Sequence, residues 1–131
     1  MSEPGLTGLV LIADDEESVA AVTAQMVEAL GLKAVVAANG RECLEMFRQD
    51  QASFDLVLLD LMMPEMNGEE TFRELRALDP EATVILTSGF NEQDAAHRFS
   101  GKGLAGFLQK PYHLAELKES VELALSKRRP K

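Results

Sequence analysis

At 131 residues, with 46% hydrophobic and 27% charged, the chain is long enough for one domain, which by size scaling buries roughly two-thirds of its unfolded surface. A net charge of −9 and a single cysteine, Cys43, exclude a nucleic-acid binder acting through a broad basic face and a domain stapled by internal disulfides. No apolar run approaches the roughly 18 residues of a membrane span, and Met1 to Gly8 lack a signal peptide's basic start and apolar stretch, so a cytoplasmic domain without membrane contact is expected.

In chain order, Leu9 to Ala13 reads as a first strand and runs straight into Asp14-Asp15. Val19, Val22, Met26 and Leu30 then fall on one helical face. Ala34 to Ala37 predicts a second strand, and Asn39 followed three residues later by Glu42 marks a helix start through a capping-box-like pair. Leu56 to Leu59 leads to Asp60 as a third strand, and Asn67 with Glu70 starts a third helix. Val84 to Thr87 runs into Ser88, with Asn91 and Asp94 as a weaker helix start. Leu104 to Leu108 precedes Lys110-Pro111, and Leu114, Leu117, Val121 and Leu125 share the face of a last helix. The basic run Lys127 to Lys131 reads as helix-terminal cations and a tail.

Short apolar runs alternating with amphipathic stretches predict βα units around a mostly parallel sheet, its strands apolar because both faces are covered. Open sheets of this kind bind ligands outside the carboxyl ends of their strands. Four of the five strands end there in a polar group: Asp14 and Asp15, Asp60, Ser88, and Lys110. Carboxylates about 4 Å apart repel by roughly 4 kcal/mol per pair at an effective dielectric of 20. Lys110 leaves two of the three negative charges uncompensated, which suits one divalent cation with oxygen ligands, Mg²⁺ first, with Mn²⁺ as a possible substitute. Taken singly each of these residues reads as structural, an acid after a strand being most often a cap. Their grouping is what points to phosphoryl chemistry.

The blocks Ala13-Asp14-Asp15-Glu16-Glu17, Leu59 to Gly68, Leu86-Thr87-Ser88-Gly89 and Gln109-Lys110-Pro111 resemble the receiver domain of two-component response regulators, over nearly the whole chain from Leu9 to Ser126. The resemblance implies a flavodoxin-like α/β fold, one domain over 1–131 with its core at 8–126. A five-stranded parallel sheet of order 2-1-3-4-5 would carry five helices on its two faces. It makes Asp60 the phosphoacceptor. It gives Asp15, Asp60 and the backbone carbonyl of Met62 as metal contacts, with Asp14 acting through water. Ser88 and Lys110 are the partners of the phosphoryl oxygens, and the Lys110–Pro111 bond is a cis peptide. Ser88 and Phe107 are switch positions, and Met62 and Phe90 tune hydrolysis, where two bulky apolar groups imply slow loss of the phosphoryl group. The partner implied is a histidine kinase or histidine phosphotransfer domain, and the domain itself is expected to be a monomer or weak dimer.

Such a module modifies only itself and turns over no separate metabolite. An aspartyl-phosphate phosphatase would need an acid two residues after the nucleophile, where this chain has Met62. A flavodoxin-like nucleotide binder would need a Gly-, Ser- and Thr-rich first loop in place of Asp14-Asp15-Glu16-Glu17. A degenerate receiver used only for docking would lack some of the pocket residues. The chain leaves no room for an output domain after the last helix, so a free-standing receiver or a piece of a longer protein is expected. The blocks Leu86 to Phe90 and Gly106 to Tyr112 look most like receivers of hybrid sensor histidine kinases. His97 and His113 are expected to be surface residues outside the acid cluster, and Cys43, Met46 and Phe47 ordinary helix packing.

Overall fold

Along each central strand, side chains alternate between two faces, and both faces are apolar, so the sheet can be stable only with helices on each side. The computed structural model describes residues 8–50, 53–61, 63, 66–89, 105–110 and 112–127. Within them run β1 (Leu9–Ala13), α1 (Glu17–Ala29), β2 (Lys33–Ala37), α2 (Gly40–Gln49), β3 (Leu56–Asp60), α3 (Gly68–Leu78), β4 (Val84–Ser88), β5 (Gly106–Gln109) and α4 (Leu114–Lys127). The helix expected between β4 and β5, with its Asn91 and Asp94 start and His97, lies outside the described residues.

The sheet is parallel throughout, in the order β2-β1-β3-β4-β5. Leu11, Ala13, Val57, Leu59, Val84 and Leu86 point to one side, where α2 and α3 supply Cys43, Phe47, Phe72 and Leu75. Val10, Ile12, Leu56, Leu58, Ile85 and Leu108 point to the other, against Val27 of α1 and Leu117, Val121 and Ala124 of α4. β3 and β4 are buried over their full length, as strands covered on both faces should be. β2 departs from that expectation: it starts at Lys33, lies at the sheet's edge, and leaves Val36 exposed. β5 begins at Gly106 within the described residues.

α1 corrects the predicted face. Ala20, Thr23 and Val27 are the buried residues of the helix, while Val22 is 50% exposed and Val19 and Met26 only half buried. Two stripes compete at the same period, and the one with the smaller side chains wins because it lets the helix axis approach the sheet. In α4 the expected face holds at Leu117 and Val121, while Leu114 is exposed at the helix start. Cys43 is fully buried, and desolvation pushes its thiol up to about 12, in keeping with a packing role.

Helix ends follow local chemistry. Asn67 and Glu70 make a full capping box, the Asn67 side chain accepting from the Glu70 amide at 2.9 Å and the Glu70 carboxylate from the Asn67 amide at 3.3 Å. At α2 the Asn39 side chain accepts from the Glu42 amide at 2.8 Å, but the Glu42 carboxylate accepts from Ala38 instead of Asn39. α1 ends on Gly31 at φ +98°, whose amide donates to Glu28 while Leu32 donates to Val27, a Schellman closure that needs the left-handed conformation.

Gly68 serves by lacking a Cβ. It opens α3 directly against the end of β3, its amide donating to the Leu61 carbonyl at 2.9 Å. A Cβ there would meet the Leu61 Cα at 2.5 Å and the Asp60 carbonyl oxygen at 2.6 Å, both backbone atoms that cannot swing aside. Gly68→Ala is therefore expected to destabilise the fold by about 1–3 kcal/mol, as overpacking against a rigid neighbour does. Urea unfolding should show a lower midpoint at unchanged slope; an unshifted midpoint would contradict the close approach.

Candidate functional site

Three strands deliver acids or hydroxyls to one edge by ending together. In the ladder Ala13 pairs with Leu59 and Asp60 with Thr87, so Asp14, Asp60 and Ser88 emerge side by side at the carboxyl ends of β1, β3 and β4. The Asp14 amide is still bound to the Ala37 carbonyl at 3.2 Å, and the Leu61 amide to the Thr87 carbonyl at 2.8 Å, which fixes the backbone beneath both carboxylates. Asp14 is 4% and Asp60 3% exposed, whereas Asp15 is open to solvent. One oxygen from each of Asp14, Asp15 and Asp60 lies within 4.8 Å of the others, the only such cluster of acids, histidines and cysteines among the described residues.

Lys110 follows β5 and closes the group. Its amide donates to the Ser88 carbonyl at 2.7 Å, continuing the β4–β5 ladder by one step. Its ammonium donates to Asp14 Oδ2 at 2.9 Å and lies 3.4 Å from Asp60 Oδ2. Burial works to lower the Lys110 pKa, but the hydrogen bond to Asp14 and the charges of Asp60 and Asp14 outweigh it, so the ammonium is held above its ordinary value. Asp14 has its other oxygen engaged as well, accepting from the Glu16 amide at 2.9 Å. Asp14 is thus tied to the protein on both oxygens. The donor set fits a small divalent cation: three carboxylates and one ammonium leave a surplus of two negative charges among oxygen ligands.

The expected residues thus divide. Asp14, Asp15, Asp60 and Lys110 come together, and Ser88 is fully buried at the end of the adjoining strand. Phe107 is half buried, packed on the core side shared with α2 and α3. Met62, Phe90 and Pro111, and with Pro111 the expected cis bond, lie outside the described residues. His113 is exposed just before α4, its amide donating to Glu116 at 2.8 Å.

Two residues escaped the reading of the sequence. The Tyr112 hydroxyl and the Thr23 hydroxyl of α1 are hydrogen-bonded at 2.9 Å, across 89 positions of sequence. Burial pushes the Tyr112 phenol up, while the Thr23 hydrogen bond and the nearby Lys110 charge work in the opposite sense. With Val19, Val22, Met26 and Lys110 they line a largely apolar cavity of about 320 Å³ beside the acids. The available signal was a threonine in the 20/23/27 stripe of α1 and the chain's only tyrosine two residues after the lysine.

Residues 10–122 match the family model for the response regulator receiver domain. The sensor kinase CckA of Brucella abortus is 34% identical over 90% of this chain, and the transcriptional regulatory protein ZraR of Escherichia coli K12 is 31% identical over 89%. The chain spans 12% of the length of the first and 26% of the second. Among solved structures, a response regulator receiver domain protein from Clostridium thermocellum superposes with a TM-score of 0.86 at 26% identity, covering 92% of this chain and 95% of that one. The CheX–CheY–BeF₃–Mg²⁺ complex of Borrelia burgdorferi superposes with a TM-score of 0.83 at 27% identity, covering 87% and 86%. Sheet order, acid cluster and family match agree: this chain belongs to the response regulator receiver domain family, a phosphoacceptor module rather than a classical enzyme.

Proposed function

We propose that Asp60 accepts a phosphoryl group from a phosphohistidine on a histidine kinase or histidine phosphotransfer domain, in a Mg²⁺-dependent reaction that alters the 88–112 face. The observation that carries this reading is the buried Asp60 carboxylate, set beside Asp14 and Asp15 and only 3.4 Å from the Lys110 ammonium. Asp15, Asp60 and the Met62 carbonyl, with Asp14 through water, would hold Mg²⁺, which supplies charge neutralisation and orientation of the incoming group. The remaining work falls to the chain's own side chains. An Asp60 oxygen forms the new bond to phosphorus as the phosphorus–nitrogen bond breaks, its electron pair returning to the donor imidazole.

The product moves charge outward. Asp60 becomes a neutral acyl oxygen bearing a group of about −2. Lys110, now shared by Asp14 and Asp60, gains a stronger partner in the phosphoryl oxygens, and the Ser88 hydroxyl donates to another. Because these contacts exist only in the modified state, they favour whatever arrangement of the 88–112 segment brings both groups inward. Phe107 answers to that change from the half-buried side of β5, and Met62 and Phe90 govern the access of hydrolytic water.

Likeness to CckA supports the receiver of a hybrid sensor histidine kinase as the parent context. Likeness to ZraR, at 31% against 34% identity, favours a response regulator as the second reading.

Incubation with Mg²⁺ and acetyl phosphate is expected to add one phosphoryl group to the parent, seen as a mass gain that hydroxylamine removes. EDTA should abolish the gain and Asp60→Asn should not show it. A modification that persists in Asp60→Asn would refute the acceptor.

A further inference from the structure

Lys110 has to reach two carboxylates on strands other than its neighbour, and what aims it is the turn between β5 and α4. One side of that turn is anchored by the Lys110 amide on the Ser88 carbonyl at 2.7 Å. The other anchor is Tyr112, whose hydroxyl meets the Thr23 hydroxyl at 2.9 Å. Thr23 is 3% exposed in the middle of α1, a position where a β-branched polar residue brings neither helix propensity nor apolar burial. Its hydroxyl is satisfied by a side chain from a distant element, where a buried hydroxyl left without a partner would be destabilising.

We propose that Thr23 and Tyr112 form a positioning pair which, by pinning the turn after Lys110 to α1, holds the ammonium over Asp14 and Asp60. The inference rests on the phosphoacceptor reading of Asp60. Neither residue touches the reacting atoms. The pair acts through Lys110, whose hold on Asp14 at 2.9 Å and Asp60 at 3.4 Å is set by where its backbone begins. It also ties the site to α1, which carries the neighbouring wall of the cavity at Val19, Val22 and Met26.

The test compares Tyr112→Phe, Thr23→Val, the double variant and Thr23→Ser, with Mg²⁺ and acetyl phosphate as the probe. Each hydroxyl-removing variant should slow phosphorylation of Asp60 at saturating donor by about three- to tenfold, one hydrogen bond's net worth, with half-saturation unchanged. The double variant should be no slower than either single one, because one shared interaction is lost once. Thr23→Ser keeps the hydroxyl and should restore the parent rate. Since the chain has one tyrosine and no tryptophan, its intrinsic emission reports Tyr112 alone. That emission should change in Thr23→Val and return in Thr23→Ser. Parent-like rates in Tyr112→Phe and Thr23→Val, whatever their thermal stability, would overturn the positioning role while leaving the acceptor reading intact. A parent that takes up no phosphoryl group would overturn both.

Discussion

Two buried carboxylates from different strands share one ammonium, and this contact organises the carboxyl edge of the sheet. Asp14 follows β1 and Asp60 ends the adjacent β3, whereas Lys110 follows β5, with β4 between β3 and β5. Neighbouring strands are about 4.8 Å apart, so the cation must span roughly two to three such spacings. A lysine supplies that reach, a point charge on a long flexible stem. The acids would otherwise repel by several kcal/mol at these separations, so their burial depends on the lysine's arrival, and the lysine's arrival depends on β5 being seated beside β4.

The rest of the fold can be understood as holding those ends in place. The backbone beneath Asp60 is fixed by the Leu61 amide on Thr87 and by Gly68, which brings the start of α3 against the same peptide. The Asn67–Glu70 capping box then sets where α3 begins, so the backbone is held both just after Asp60 and at the start of α3. On the opposite face α1 and α4 flank the Lys110 side, and the Tyr112–Thr23 contact joins the turn to α1. The acid cluster thus stands on a backbone held by hydrogen bonds and by close contact with α3.

The strands were legible because β1, β3 and β4 are covered on both faces and read as unbroken apolar runs. β2 was blurred by its edge position, where Lys33 and Val36 face outward. The grouping of Asp14, Asp15, Asp60, Ser88 and Lys110 followed from the rule that such runs end on one edge, but which member of the acidic pair is buried did not. That depends on the Asp14 amide still bonding the Ala37 carbonyl one step past the ladder, with its carboxylate on Lys110. The face of α1 was misjudged because the larger apolar residues were weighed above the smaller ones. Ala20 and Thr23 permit the closer approach, and Thr23 becomes comfortable there only through a tyrosine 89 residues away. Gly68 was read only as the end of the Leu59–Gly68 block, and its steric role was missed because it is a collision that does not occur.

If Lys110 and a divalent cation compensate the same acid cluster, they should compete at Asp14 and Asp60. Calorimetric titration of Mg²⁺ into the parent and into Lys110→Met tests it most directly. One site is expected in the parent, and tighter binding in the variant, because the acids lose their competing cation. Binding in Lys110→Met that is equal or weaker, or a parent that binds no Mg²⁺, would rule out a shared, competing role for the lysine and the cation.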